Sequence, residues 1–393
     1  MIDLELNYSP FDPQVIADPY PAYRELRANA PVYWSAEASS WVLSRYDDIS
    51  AALADPLTYS SASGVYPTPA GMDMTQMLLP MLLMSDPPRH TQLRQLVSRA
   101  FTPRRIATLE LSVHTIVRDL LDEVPAAGAW DFVSGFSGPL PAFVIADLLG
   151  IPREDQDHFR TLSTTLVQSN PMQDQMGVGM EAAAALYDYL STFLAERRAQ
   201  PGDDLMTALV QAEVDGQHLS EEELLGFCFL LLVAGHETTT NLLSNSVIVL
   251  AAHPESRRQL QVEPDLVPPA IEELLRYDSP VQGIGRTLTR PVELHGQRMN
   301  PGDSVLLLFG SANRDYRAFN DAEVFDIARR PERHLALGRG IHFCLGASLA
   351  RMETRIALAA LLDRSRFDWD VDLFGAERLR SGPIRGFASL PVQ

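Results

Sequence analysis

Cys344 is the residue whose surroundings most favour chemistry, since Gly338 and Gly340 precede it and Gly346 follows it. Glycines let a backbone turn tightly and approach a flat partner closely. A helical pattern over residues 345–362 begins directly after the cysteine, and the N-terminal end of a helix favours a thiolate over a thiol. A thiolate is a good ligand for a soft metal. Free cysteine is more often a small core residue, but a histidine and an arginine in the same short loop favour a metal ligand.

A second candidate site lies in the middle of a long predicted helix. This helix begins at a capping box on Ser220 and ends near Ala252. About 30 residues at ~1.5 Å each give a rod of ~45 Å, enough to cross a whole domain. Gly235, Glu237 and Thr238 are poor choices for a buried helix centre, and such a local conflict usually marks a site. A threonine hydroxyl bonded back to a carbonyl would bend the rod there and open a groove.

His90 and Arg94 form a third candidate site. Their helix has a predicted start at Asp86, which serves as the N-cap before two prolines. Their i, i+4 spacing puts both side chains on one face. No acid occurs at the matching spacing, so the pair favours an external anion, although a solvated basic face would also explain it.

The loop Leu-Gly-Arg-Gly-Ile-His-Phe-Cys-Leu-Gly that carries the cysteine resembles the haem-binding loop of the cytochrome P450 family. The resemblance implies that Cys344 is the axial ligand of a haem iron. It also implies that Leu337, Gly338, His342 and Gly346 belong to the cofactor site. The family usually has phenylalanine at the position of Leu337, where the ring packs beside the ligand sulfur.

The other two candidate sites fit the same resemblance. It implies that Ala234, Gly235 and Thr238 line an oxygen-binding groove above the haem, with Glu237 and Thr238 as a catalytic acid–alcohol pair that relays protons. The residues implied to hold the haem propionates are His90, Arg94, Arg286 and His342. Charge-assisted hydrogen bonds from these donors would neutralise the two carboxylates.

Glu273 and Arg276 stand at i, i+3, a spacing at which surface ion pairs are common. The resemblance implies instead a buried structural network, which Arg329 joins and which holds the cysteine loop in shape. Glu272 is predicted to be the exposed neighbour, because no arginine follows it at three residues.

The substrate pocket is predicted to be mainly apolar. A loop over residues 60–85 contains five methionines, and such an adaptable segment could either mould itself over an apolar ligand or fill the core. Loops of this length are usually functional. A predicted C-terminal hairpin over residues 379–392 would bring its tip to the substrate. The residues predicted to line the pocket are Met77, Leu78, Ala234, Val281, Ile284 and Phe387.

Composition limits the class of protein. The chain has 393 residues, of which 46% are hydrophobic, ample for a sizeable core. No apolar run reaches the roughly 18 residues of a membrane span, and the N-terminus lacks a signal-peptide pattern. The two cysteines, Cys228 and Cys344, predict no disulfide framework. We therefore expect a cytoplasmic protein that does not enter a membrane.

The charge distribution predicts a protein partner rather than a nucleic acid. A net charge of −19 argues against phosphate-backbone binding. Arginines near the cysteine loop are either dispersed solvated residues or a basic docking patch for an acidic, ferredoxin-type electron donor. The residues of this predicted docking patch are Arg99, Arg104, Arg105 and Arg339.

The resemblance covers nearly the whole chain and implies a mainly α fold with a small β portion (α+β). It implies one haem-enclosing domain over residues 1–393, without a fused reductase, that binds haem b. The implied activity is that of a monooxygenase. It would use O2, with electrons ultimately from NAD(P)H through a separate ferredoxin and reductase, to hydroxylate a mainly apolar small molecule such as a terpenoid, steroid, macrolide or fatty acid.

Other activities remain open at this point. The same fold can carry out peroxide-driven oxidation, desaturation or C–C coupling, but peroxide-driven members tend to lack the acid–alcohol pair. A haem-based sensor or ligand-binding protein would need no proton relay. A metal-free structural protein would leave the cysteine loop and its cationic neighbours unexplained.

Overall fold

The computed structural model describes residues 7–65, 81–125, 128–168, 176–363 and 369–393. Helices dominate the architecture. Their bounds are α1 Pro13–Ala17, α2 Tyr20–Asn29, α3 Tyr46–Ala54, α4 Arg89–Ala100, α5 Pro103–Thr108, α6 Glu110–Asp122, α7 Pro139–Leu149, α8 Arg153–Gln168, α9 Met176–Ala199, α10 Leu205–Val210, α11 Glu221–Ala252, α12 Pro254–Val262, α13 Val267–Tyr277, α14 Phe309–Ala312 and α15 Ala347–Leu361. Across the described ranges, none of these helices has the length and apolarity to cross a membrane.

The strands are short and gather mainly on one side of the fold. Their bounds are β1 Val32–Ser35, β2 Ser40–Leu43, β3 Tyr59–Ser60, β4 Trp130–Asp131, β5 Ile284–Leu288, β6 Val292–Leu294, β7 Gln297–Met299, β8 Ser304–Leu307, β9 Glu377–Arg378, β10 Phe387–Ser389 and β11 Pro391–Val392. The largest sheet has the order β1-β2-β8-β5-β3. Strand β2 pairs with β8 in parallel, with Ser40 opposite Ser304 and Leu43 opposite Leu307. The α+β class predicted from the resemblance is confirmed.

Two apolar cores hold these layers together. The larger core, here called the helical core, is built from α4, α6, α7, α9, α11, α13 and α15. The smaller one, the sheet core, packs α2 and α3 onto β2, β5 and β8. The segment that carries the cysteine lies between them, since Leu335 belongs to the sheet core and Leu337 packs against the helical core.

Helix α11 crosses the helical core and follows the sequence prediction closely. Ser220 and Glu223 form the predicted capping box, and the helix ends at Ala252. It packs against α7, α8, α13 and α15. A helix of this length lends its mid-point a fixed position, because each flank is held by a different neighbour.

One local prediction is wrong and another is shifted. Asp86 does not cap α4, because two prolines separate it from the first helical residue; its carboxylate instead accepts hydrogen bonds from the Ser60 hydroxyl and the Ser61 backbone N–H. The hairpin predicted over residues 379–392 is formed by β9 and β10, which pair antiparallel, and the Leu379 N–H donates to the Gly386 carbonyl between them. The last residues leave this hairpin, because β11 pairs with β4.

Candidate functional site

The cysteine loop is shaped by two glycines with left-handed backbone. Gly338 has φ +70° and Gly340 has φ +71°, a region that other residues rarely adopt. At Gly340 a Cβ would also lie 2.5 Å from the carbonyl oxygen of Leu53 in α3, so only glycine permits this contact. The Cys344 N–H donates to the Leu337 carbonyl at 2.9 Å. The loop is thus closed on itself and docked on α3.

The Cys344 sulfur experiences opposing influences. Burial is the largest and raises the pKa of the thiol above its ordinary value. The Gly346 N–H, which donates to the sulfur, and the charges of Arg94 and Arg351 act the other way. A Cβ at Gly346 would lie 4.0 Å from Sγ, an ordinary contact distance, so the space beside the sulfur does not by itself require glycine here. Burial therefore opposes the thiolate that the helix end is predicted to favour, and these three groups support it.

Four basic side chains converge beside this loop. The rings of His90 and His342 lie 4.3 Å apart between centroids, and Arg94 donates to the Phe343 carbonyl at 2.8 Å. Arg286 is buried, with 4% of its surface exposed. Within the described residues, neither ring nitrogen of His90 has a hydrogen-bond partner.

The electrostatics of this cluster favour a bound anion. Burial lowers the pKa of Arg286 to about 10. Burial, followed by the nearby charges of Arg286, His90 and Arg94, lowers the pKa of His342 to about 3. Asp86 is the acid that acts on Arg286 and His90, and its carboxylate is already occupied by serine donors. A buried histidine without a partner, beside two arginines that carry positive charge, fits a group with two carboxylates, as a haem has.

The middle of α11 is less buried than the rest of its apolar length. Ala234 is exposed, and Val233, Gly235, Glu237 and Thr238 are only partly buried. The Thr238 hydroxyl donates to the Ala234 carbonyl at 2.7 Å, as predicted from the sequence, and the Thr240 hydroxyl makes the same bond to His236 at 2.9 Å. A Cβ at Gly235 would meet Ile145 of α7 at 3.0 Å. Gly235 therefore allows close packing of α7, and only its backbone is available to a cofactor.

Glu237 is the unusual residue of this helix. Burial raises the pKa of its carboxyl to about 7, and in the described part of the chain no cation pairs with it. A carboxyl in this condition can hold or release a proton near neutral pH. It adjoins Thr238, whose hydroxyl oxygen can still accept a hydrogen bond while its proton is given to Ala234.

Glu273, Arg276 and Arg329 meet as the resemblance implies. Both Glu273 and Arg276 are fully buried, and two guanidinium nitrogens of Arg276 donate to the carboxylate at 2.7 Å each. Arg329 Nε adds a bond to Glu273 Oε1 at 3.1 Å. Arg276 also donates to the carbonyl of Asn313 at 2.8 Å, so the network ties α13 to the segment that leads toward the cysteine loop.

The prediction for Glu272 is wrong. This residue is not an exposed bystander, because its carboxylate binds Arg351 of α15 and His334. Helical spacing could not reveal these partners, since both lie more than 60 residues further along the chain.

The described part of the predicted substrate wall is split between two environments. Val281 forms an isolated bridge with Ile384, and Ile284 opens β5 with a partly buried side chain. Phe387 belongs to the helical core, and the guanidinium of Arg378 lies 4.0 Å from the centre of its ring. Sequence reasoning missed Ile384, which lies opposite Val281. Met77 and Leu78 fall outside the described residues.

The predicted docking patch is largely at the surface. Arg99, Arg104 and Arg339 are exposed and Arg105 is partly buried; Arg339 donates to the Ser50 hydroxyl. Arg94 and Arg99 line an open groove of about 450 Å³ with the turn at Asp215.

Comparisons with known proteins agree with this geometry. A family profile described as Cytochrome P450 matches residues 159–388. The vitamin D(3) 25-hydroxylase of Pseudonocardia autotrophica is 39% identical over 380 residues, covering 95% of this chain and 93% of that protein.

Solved structures are similar over almost the full length. Cytochrome P450 CYP109Q5 from Chondromyces apiculatus has a TM-score of 0.91 and 35% identity, covering 99% of this chain and 98% of that chain. CYP109E1 from Bacillus megaterium in complex with corticosterone has a TM-score of 0.87 and 38% identity, covering 97% of this chain and 99% of that chain.

Proposed function

The chain belongs to the cytochrome P450 monooxygenase family, and from this premise we propose that it hydroxylates a mainly apolar, steroid-like small molecule. Haem b is the proposed cofactor, with O2 as oxidant and electrons from NAD(P)H delivered by a separate ferredoxin and reductase. The observation that carries the proposal is the position of Cys344 beside a cluster of basic side chains. In this cluster the buried His90 has no hydrogen-bond partner within the described residues, and its ring lies 4.3 Å from that of His342.

The proposed cofactor site follows from these contacts. Cys344 would bind the haem iron, and His90, Arg94, Arg286 and His342 would hold its carboxylates. Bound thiolate-ligated haem supplies oxygen activation. Burial lowers the pKa of each of the four basic side chains. A bound anion would oppose this effect, because it stabilises their charged forms.

Glu237 and Thr238 are proposed as the proton relay. A protonated Glu237 carboxyl can deliver a proton toward the predicted groove beside Ala234, and the Thr238 oxygen can accept a hydrogen bond that orients the recipient. This arrangement favours O2-driven over peroxide-driven oxidation, because peroxide carries its own protons.

The substrate class rests on the relatives and on the wall residues. One relative is named for hydroxylation of vitamin D(3), and one similar structure holds corticosterone. Val281 pairs with Ile384, and Ile284, also apolar, follows three residues after Val281 at the start of β5. Such a wall suits a rigid, apolar polycyclic ligand bound mainly by contact area.

The test is a spectroscopic screen of the haem-loaded protein. We expect the ferrous carbonyl adduct to show the red-shifted Soret band of a thiolate ligand, and steroids or secosteroids to shift the ferric spin state. Product should then form with NAD(P)H, ferredoxin and reductase. An adduct that absorbs like an imidazole-ligated globin would contradict the cofactor site, and turnover with peroxide alone but not with the reductase system would contradict the relay.

A further inference from the structure

Glu272 is the centre of a polar cluster beneath the cysteine loop. Arg351 grips its carboxylate with two nitrogens, Nε to Oε1 at 2.6 Å and Nη2 to Oε2 at 2.8 Å. His334 Nε2 donates to Oε2 at 3.0 Å. One carboxylate therefore takes three hydrogen bonds from two separate segments, an arrangement much stronger than a single surface pair.

The two partners of Glu272 lie on opposite sides of the cysteine in sequence. His334 precedes the loop and Arg351 follows it in α15, while Glu272 itself belongs to α13. The carboxylate thus fastens the segments before and after Cys344 to a third element. Glu273, the adjacent residue of α13, accepts a hydrogen bond from Arg329. The two neighbouring acids therefore belong to two distinct hydrogen-bond networks.

The cluster also reaches the sulfur electrostatically. Arg351 lies in the second turn of α15, the helix that begins three residues after Cys344. Its charge opposes the effect of burial on the pKa of the Cys344 thiol. Burial opposes ionisation of Glu272, but the bonds and charges of Arg351 and His334 lower the pKa of its carboxyl to about 2. Glu272 is accordingly an anion at any ordinary pH, and it compensates the positive charge that Arg351 holds near the sulfur.

We propose that Glu272 is a positioning residue that fixes Arg351 beside Cys344 and, by compensating its charge, sets the reduction potential of the metal site. This inference rests on the proposed haem-thiolate site. One-electron reduction adds one negative charge to that site, with the electron supplied by the reductant. A nearby cation favours the reduced state and a nearby anion disfavours it.

Five variants of the haem-loaded protein, two of them controls, test the proposal by spectroelectrochemical titration. In E272Q the charge of Arg351 is uncompensated, so the potential should move to more positive values, equivalent to about a threefold or larger change in the ferric/ferrous equilibrium. R351Q should move it to more negative values. The double variant E272Q/R351Q removes both charges and should return close to the wild type.

The matched control is E110Q. Glu110 accepts from Arg355 at 2.6 Å, and Arg355 lies one turn beyond Arg351 on the same helix. This pair has similar exposure, with 40% and 47% of the two side chains accessible against 37% and 27% for Arg351 and Glu272. Its loss should leave the potential unchanged. E272D, which keeps the charge, should restore a potential near that of the wild type.

The outcomes separate the two proposals. A wild-type adduct without the thiolate-type Soret band would contradict the proposed function itself. With that band present, potentials of E272Q and R351Q equal to those of wild type and E110Q would overturn the role of Glu272. If E272Q fails to take up haem, R351Q and the double variant still decide. A purely structural clamp predicts the same potential for both, whereas charge compensation predicts a negative shift in R351Q and a value near wild type in the double variant.

Discussion

Glu237 illustrates how a side chain can acquire a function when its surroundings do not offset the negative charge of its carboxylate. Burial raises the pKa of its carboxyl from 4.5 to about 7, and no cation of the described chain offsets this. The protein thereby maintains an acid that is protonated in mildly acidic solution and ionised in mildly basic solution. Both catalysis and stability should report that titration.

We predict that E237Q lowers product formation by about 100-fold, since a positioned general acid typically contributes that much. The reductase-driven rate of the wild type should fall as pH rises through about 7, and the glutamine variant should lose this limb while more electrons go to peroxide. Product, NADH and peroxide measured together check this. The exposed Glu222 of the same helix supplies the control E222Q, which should behave as wild type; an unchanged pH limb in E237Q would contradict the relay.

The same titration has a stability consequence whose sign is fixed. The folded protein binds the Glu237 proton more tightly than the unfolded chain, so protonation stabilises the folded state. This stabilisation is fully present below pH 4.5 and is lost as pH rises through about 7. We predict that E237Q gains thermal stability relative to wild type between pH 5 and pH 8, as measured by melting temperature. A difference that is constant across this range would show that the carboxyl does not titrate there.

At the scale of elements, the contact between the cysteine loop and α3 places the strictest requirement on the identity of a residue. Gly340 combines a positive φ with a Cβ position only 2.5 Å from a backbone oxygen. Gly296 has nearly the same backbone, φ +75°, but open space around it. The two glycines therefore separate backbone strain from close approach.

We predict that G340A destabilises the protein by well over the ~1–2 kcal/mol that left-handed backbone costs an ordinary residue, and that it loses haem. G296A should show only that ordinary cost. Unfolding free energies in denaturant and the haem content after purification measure the two effects. Equal losses of stability and haem in both variants would mean that α3 can move away at little cost and that the docking contact is unimportant.

The sequence predicted elements with local signals well and distant partners poorly. The capping box of α11 and the threonine back-bond lie within four residues, and both were readable. Glu272 was assigned to the surface because its partner Arg351 lies 79 residues away. Asp86 resembled a helix cap, but hydrogen bonds to serines 25 and 26 residues earlier outweighed that propensity.

The candidate site divides in the same way. Motif residues such as Cys344 and Glu273 could be named through the family resemblance, and the structure gives them geometry. Ile384 could not be named, because its relation to Val281 comes from a bridge between segments that are far apart in sequence. The net effect of burial on the Cys344 thiol likewise depends on tertiary packing, which no local pattern encodes.

At the scale of the whole molecule, a net charge of −19 contrasts with exposed arginines near the cysteine loop. An acidic electron donor would be repelled by most of the surface and attracted by this patch, which orients its approach. Screening shortens that attraction to about 10 Å at 0.1 M salt.

We predict that the double charge reversal R99E/R104E slows reduction by the ferredoxin by about tenfold or more at low salt, and that raising the salt narrows the difference from wild type. Stopped-flow reduction at several ionic strengths measures this. Arg298 of β7 is also exposed and gives the control R298E, for which we expect little change. Equal slowing in R298E would show that overall charge, rather than this patch, governs the encounter.

The order of strands in the main sheet also determines when that sheet can form during synthesis of the chain. Residues 40–43 pair with residues 304–307, and residues 59–60 pair with the strand over 284–288. During synthesis, the amino-terminal hairpin therefore cannot pair with β8 until most of the polypeptide has left the ribosome. Until then, one strand edge stays unpaired and can bind other chains. A synthesis rate of about 5–20 residues per second makes that wait roughly 12–50 seconds, an interval in which chaperone capture would raise the yield of active enzyme.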